Sequence, residues 1–235
     1  KEAKEMRELL CNSTYFGVLI SLIGYGLGIM LKRKFKIAIF NPLLVSIVFV
    51  ISVLLVLGID YESYNNSAKY LSYLLTPATV CLAIPLYQQL EILKGNYRAI
   101  LGGIVSGALA SFISVFALAK LFDLTHQQYV TLLPKSITTA IGMGVSQELG
   151  GIVTITVAVI IITGVLGNIM AELVCKLFRI KEPVAKGIAL GTSSHAIGTV
   201  KAMEMGEVEG AMSSLAIAVT GLVTVIGASF FANLM

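Results

Sequence analysis

Charge is scarce in this chain. Asp, Glu, Lys and Arg make up 13% of its 235 residues, against about 25% in an ordinary soluble domain. Hydrophobic residues reach 57%, and the mean hydropathy is +0.90. An integral membrane protein is expected, with one membrane domain and no soluble one. Tryptophan is absent, so any interfacial aromatic belt must use tyrosine. The three cysteines, Cys11, Cys81 and Cys175, show neither CxxC nor Cys/His spacing. That excludes a disulfide or zinc framework and leaves them as small apolar packing residues. No aspartate follows Asp123, which excludes an intramembrane aspartate pair of the sodium/proton antiporter kind. There is no Walker motif to drive ATP hydrolysis and no metal-ligand spacing. Ser194 and His195 adjoin in sequence, but no third member of a catalytic group is visible. No enzyme activity, metal or cofactor is expected. The five prolines and 22 glycines are too few for a low-complexity segment.

The net charge of +4 is no sign of nucleic-acid binding, because the basic residues sit in short loops, where they orient spans. The lead-in 1–8 alternates charges and is expected to be a solvated helix. Residues 12–31 form a first uncharged stretch, long enough to span and therefore unlike a cleavable signal peptide. Gly17, Gly24 and Gly28 lie roughly on one face of it and suit close helix packing. The basic run Lys32, Arg33, Lys34 and Lys36 is placed in the cytoplasm. A second span covers 41–58, and Asp60 and Glu62 make an outward-facing turn. Residues 70–90 carry Pro77 and Pro85, and a break is expected at Thr76-Pro77-Ala78-Thr79. Further spans are expected at 99–119, 152–171 and 210–235. Two N-terminal spans (12–66) would thus precede a repeat-containing core (67–235).

Two polar, glycine-rich stretches interrupt the core. Residues 187–206 carry Thr192, Ser193, Ser194, His195, Thr199, Lys201 and Glu204, and only 14 residues of the stretch (187–200) are free of charge apart from His195. A straight span needs about 20 residues. The stretch 126–151 is similar in character, with an uncharged run of only 12 residues. Basic Lys176, Arg179, Lys181 and Lys186 follow the next span. If they are cytoplasmic, the 134–151 segment enters and leaves on the outer side. Such backbone is tolerated at membrane depth only where protein buries it or it lines a cavity. A shift of 56 places Ile141-Gly142 on Ile197-Gly198, and Glu148-Leu149-Gly150 on Glu204-Met205-Gly206. A shift of 57 places Thr163-Gly164 on Thr220-Gly221, and one of 59 places Thr79 on Thr138. The fold expected is an all-α, multi-span helical bundle with discontinuous or re-entrant helices and internal repeats, as in many secondary transporters.

The hydroxyl-rich runs Lys135-Ser136-Ile137-Thr138-Thr139 and Thr192-Ser193-Ser194-His195 each precede a Gly- and Ala-rich half-helix. A half-helix start is positive and attracts anions, while hydroxyls in membrane helices also serve plain packing. Both readings stand. In the first, Thr76, Thr79, Lys135, Ser136, Thr138, Thr139, Thr192, Ser193, Ser194, His195 and Thr199 bind a small carboxylate. Lys135 is then its charge partner; in the second it is an interfacial snorkeler. His195, Glu148 and Glu204 are candidates to carry a coupled proton, the glutamates only if buried. The alternative for His195 is that it locks the break by donating to a freed carbonyl. Lys201, Glu204, Glu207 and Glu209 read as a partly solvated helix end with a Lys201–Glu204 pair.

Leu133-Pro134-Lys135-Ser136-Ile137-Thr138-Thr139, with Gln147-Glu148-Leu149-Gly150-Gly151 downstream, resembles the LrgB/CidB family signature. So do the run Ala185-Lys186-Gly187-Ile188-Ala189-Leu190-Gly191-Thr192-Ser193-Ser194-His195-Ala196-Ile197-Gly198-Thr199 and the segment Gly206-Glu207-Val208-Glu209-Gly210-Ala211. Members often carry proline after the Thr-Thr pair; here Ala140 stands there. The resemblance implies a multi-pass protein of the bacterial inner membrane, usually with a small LrgA/CidA partner, and an antiholin-like role in murein hydrolase control and lysis. Plant relatives move glycolate and glycerate, and some bacterial ones are linked to pyruvate uptake. Three polar broken segments with repeat character favour a transporter of small monocarboxylates over a lesion-forming regulator, and a lysis phenotype can follow from moving weak acids. A homodimer is compatible with the glycine-rich span faces.

Overall fold

The computed structural model describes residues 13–35, 37, 40–81 and 83–235. The lead-in 1–8, Cys11, Asn12 and Lys36 lie outside the described residues. Every regular element among the described residues is a helix. They divide into two compact units, Lys1–Val80 and Cys81–Met235.

In the first unit, α1 (Phe16–Phe35) packs antiparallel to α2 (Pro42–Leu57). Asn41 caps α2 by accepting from the N–H groups of Leu43 and Leu44, and Pro42 supplies a pre-set φ at the first helical position. Gly58, in the left-handed region at φ 62°, closes the helix. A Cβ on Gly28 would sit 2.6 Å from Pro42 Cα, so the two helices meet backbone to backbone. Gly17 N–H donates to Ser67 Oγ of α3 (Tyr61–Ala68) at 2.8 Å. With 16 residues, α2 is short for a crossing; about 20 are needed. A 3-10 turn, Lys69–Leu74, leads into α4 (Leu75–Cys81). The break expected at 76–79 is therefore displaced to the start of α4. Pro77 occupies the first turn of that helix, where its missing N–H would have no helical acceptor. The side chains of Thr76 and Thr79 lie outside what is described.

The second unit contains α5 (Ala83–Gln88), α6 (Leu90–Leu121), α7 (His126–Leu132), α8 (Thr139–Glu148), α9 (Val153–Leu177), α10 (Pro183–Met205) and α11 (Glu207–Ala232). Of these, α6, α9 and α11 are long and apolar enough to cross a membrane, as is α1 in the first unit. Helices α6 and α11 run parallel. Ile100 and Ile104 pack with Ala211, Met212 and Ala216 near one end, and Phe112 stacks on Phe231 near the other at 4.7 Å. Cys175 is buried among the helices, as a packing residue should be; Cys81 is exposed, which corrects that reading for it.

The stretch 126–148 is a helical hairpin. Thr156 Oγ1 of α9 lies 2.9 Å from Thr131 O and 2.7 Å from Ser146 Oγ. Those partners are 15 residues apart and would lie about 22 Å apart in a straight helix. The chain therefore reverses between α7 and α8, across Pro134-Lys135-Ser136-Ile137-Thr138. A capping box of Thr125 and Gln128 starts α7, and the Tyr129 hydroxyl donates to Phe231 O at the base of the hairpin.

Helix α10 is a second hairpin. His195 has φ 42° and ψ −138°, outside helical geometry. A Cβ on Gly198 would sit 2.8 Å from Leu190 O, eight residues back; a straight helix separates such residues by about 12 Å. Both arms reach Ser213 of α11: Thr199 Oγ1 lies 2.6 Å from Ser213 Oγ, and a Cβ on Gly191 would sit 2.5 Å from Ser213 O. The first hairpin has its base at the N-terminal end of α9 and the second at the C-terminal end. They start from opposite ends of α9, and their tips both approach its middle. The shift of 57 recurs in the contacts, since it carries Thr156 onto Ser213: the Thr156 side chain bonds both arms of the hairpin before it, and Ser213 bonds one arm through Oγ and lies against the other through its backbone. Successive blocks of hairpin plus span are thus inverted repeats.

Candidate functional site

The two tips frame one end of a cleft of about 1100 Å³. Its walls are α6 and the first arm of the second hairpin, with Lys135 and Ser136 of the first tip at the inner end. Small residues keep the walls apart without filling the space: Gly103, Gly107 and Ala110 on α6, Ala185 and Ala189 on α10. The polar lining is mainly hydroxyl. Ser136 Oγ lies 3.1 Å from Ser111 Oγ, and Lys135 Nζ donates to Ser136 Oγ at 3.0 Å. No carboxylate pairs with Lys135 among the described residues. Next to this cation, Thr138 stands at the N-cap of α8 without a side-chain hydrogen bond, so it leaves the first-turn N–H groups uncapped.

The structure sorts the sequence candidates. Lys135, Ser136, Thr192 and Ser193 line the cleft, whereas Thr138, Thr139, Ser194, His195 and Thr199 do not. Ser194 is buried against Gly167, and Thr199 donates to His195 O at 3.0 Å. His195 is 3% exposed, with Nε2 at 2.9 Å from Ile160 O of α9. A carbonyl only accepts, so Nε2 carries hydrogen and pins the tip to the span. Gly164 makes room for it, since a Cβ there would sit 2.7 Å from the imidazole. The Asn168 amide adds a second tie, donating to Ile197 O at 2.9 Å. His195→Ala should leave the Ile160 carbonyl unpaired and cost about 1–3 kcal/mol of stability, whereas His195→Gln, which keeps a donor, should cost less. A His195→Ala variant that melts at the wild-type temperature would contradict this locking role.

Glu148 and Glu204 are both exposed, so the condition set for proton coupling is not met by either. Lys201 pairs with Glu204 at 3.3 Å, as its spacing suggests, and also with Glu172 of α9. Glu209 departs from the solvated reading: it is 7% exposed and lies 3.8 Å from Lys186, tying the base of the second hairpin to α11. Sequence reasoning missed Ser111, Asn168, Gly164 and Gly167. A signal was present. The shift of 57 that relates Thr163-Gly164 to Thr220-Gly221 also places Ser106-Gly107 on Thr163-Gly164, and Ser111 on Asn168. Ser111 and Asn168 each bond to the tip of the hairpin that follows them.

The fold and the cleft define an all-helical integral membrane protein with two opposed helical hairpins beside a hydroxyl-lined cleft. The chain belongs to the LrgB-like family, whose profile covers residues 21–234. It is 44% identical over 213 residues to the "Antiholin-like protein LrgB" of Bacillus cereus (strain B4264), across 90% of this chain and 93% of that protein. The same figures hold for the protein of that name from Bacillus anthracis (strain CDC 684 / NRRL 3495). No solved structure matches the chain.

Proposed function

We propose that the protein is a secondary carrier of small monocarboxylates of the pyruvate, glycolate and glycerate class. The observation that carries this reading is a partly buried ammonium, Lys135, at the inner end of a hydroxyl-lined cleft and without a carboxylate partner among the described residues. A buried charge is costly unless paired, and a carboxylate held by Lys135, Ser136 and Ser111 supplies the pair. Opposed hairpin tips at mid-depth also suit the carrier, because inverted repeats let one site face either side. We place the protein in the bacterial inner membrane. Lys94, Arg98, Lys176, Arg179, Lys181 and Lys186 collect at the starts of α6 and α10 and the end of α9, and this face is assigned to the cytoplasm.

The names of the relatives favour a second reading, an antiholin-like regulator of murein hydrolase export and lysis. A regulator of that kind works through assembly and lesions and has no need of an ammonium in a cleft. Purified chain in proteoliposomes, alone and with a small LrgA/CidA-type partner, separates the two. The carrier gives saturable uptake of labelled carboxylate with no release of a large trapped dye. Dye release without saturable uptake supports the regulator.

A further inference from the structure

Helices α1 and α2 meet along a seam of small residues. Gly24 and Gly28 lie one turn apart on α1. A Cβ on Gly24 would sit 2.9 Å from the Phe49 ring, and one on Gly28 2.6 Å from Pro42 Cα. Backbones this close leave the larger side chains beside the seam standing on either side of a furrow. On one wall Leu27, Leu31 and Lys34 follow each other at helical spacing, and Phe49 of α2 lines the other. The furrow encloses about 720 Å³. It follows α1 for seven residues, about 10 Å, which fits within one leaflet of a bilayer whose apolar core is about 30 Å thick.

The furrow changes character along its length. Its body is apolar, and its end, in the last turn of α1, is Arg33 and Lys34. Both are exposed, and neither pairs with a carboxylate among the described residues. The Lys34 ammonium lies over the Phe35 ring, 5.6 Å from its centroid, a contact that leaves its charge unneutralised. An apolar trough that ends in two unneutralised cations has the two-part chemistry of a lipid with a net negative headgroup. Basic pockets between membrane helices suit such headgroups, and a guanidinium grips a phosphate by two hydrogen bonds at once. A zwitterionic lipid brings its own ammonium, which two neighbouring cations repel.

We propose that this furrow is a binding site for an anionic phospholipid. Arg33 and Lys34 hold the phosphate, and one acyl chain lies along Leu27, Leu31 and Phe49. The site is built from the first unit alone and does not depend on the carrier reading.

The chain contains no tryptophan, so Met30→Trp, at an exposed position on the wall of the furrow, gives a sole fluorescent reporter. The whole chain is reconstituted in vesicles of phosphatidylcholine and phosphatidylglycerol in varied proportion, with one of the two lipids brominated on its acyl chains. Quenching then gives the relative affinity of the two lipids for the furrow. Phosphatidylglycerol should be favoured by about tenfold, each cation being worth up to about a factor of five. Arg33→Gln combined with Lys34→Gln should bring the two lipids within about twofold. Lys32 and Lys36 keep that loop basic, so the orientation is retained. Leu222→Trp, at an exposed position on α11, should show no preference. Equal affinity of the two lipids in the Met30→Trp protein overturns the proposal, as does a preference that survives the double substitution or is matched at Leu222→Trp. Quenching by neither lipid at Met30→Trp, with normal quenching at Leu222→Trp, also overturns it and shows that protein, a second copy or a small partner, covers the furrow.

Discussion

Lys135→Met is expected to abolish saturable carboxylate uptake, lowering it by about a hundredfold or more. Removing one partner of a buried, hydrogen-bonded charge pair costs about 2–5 kcal/mol, and each 1.4 kcal/mol is about a factor of ten. Lys135 is placed to supply that term: Nζ reaches Ser136 Oγ at 3.0 Å, and Ser136 Oγ in turn reaches Ser111 Oγ. Lys135→Arg should also fall well below wild type, since a planar guanidinium cannot replace a compact ammonium in a seat fitted to it. Insertion and folding are checked by size-exclusion profile. A folded Lys135→Met protein that transports at the native rate would show that Lys135 is not the charge partner.

The second large effect concerns stability. Gly191→Val should lower the melting temperature sharply or prevent folding. A Cβ there would meet Ser213 O at 2.5 Å and Ala216 Cβ at 2.6 Å, and backbone cannot rotate away. Over-packing typically costs about 1–3 kcal/mol, and this site joins the second hairpin to α11, so the loss falls on the packing that holds the tip. Gly144→Ala is the matched control: nothing lies within 4 Å of a Cβ there, and alanine is the better helix former. Melting in detergent should show a large drop for the first and no drop for the second. Equal behaviour would mean that the hairpin does not dock on α11 as described.

Much of this organisation was legible in residue order. The shortness of the uncharged runs at 136–147 and 187–200 pointed to segments that do not cross, and both are hairpins. The basic loop after α9 pointed to re-entry of the segment before it, and the Thr131–Thr156–Ser146 contacts show that the chain of that segment reverses. Burial and direction were not legible. Thr192, Ser193, Ser194 and His195 form one polar run, yet a tight reversal turns Thr192 and Ser193 to the cleft and Ser194 and His195 into the protein. A run of similar side chains does not reveal which of them a reversal will turn inward. Glu209 resembled its solvated neighbours because its burial depends on Gly187 letting α10 approach α11, a contact between segments more than 20 residues apart. Ser111 was hidden for a related reason: a lone serine in an apolar span normally bonds its own helix, and only the tip docked beside it gives it another partner.

Two hairpins approach the middle of α9 from its opposite ends, and in a membrane they would dip in from opposite faces. Single cysteines in a cysteine-free background, labelled with a membrane-impermeant maleimide in intact and permeabilised cells, test it most directly. Gln127→Cys and Glu148→Cys flank the first hairpin, and Lys181→Cys and Glu207→Cys flank the second. The predicted result is that the members of each pair label from the same face and that the two pairs label from opposite faces. Labelling of Gln127→Cys and Glu148→Cys from opposite faces would make the first segment a crossing helix and would contradict the account.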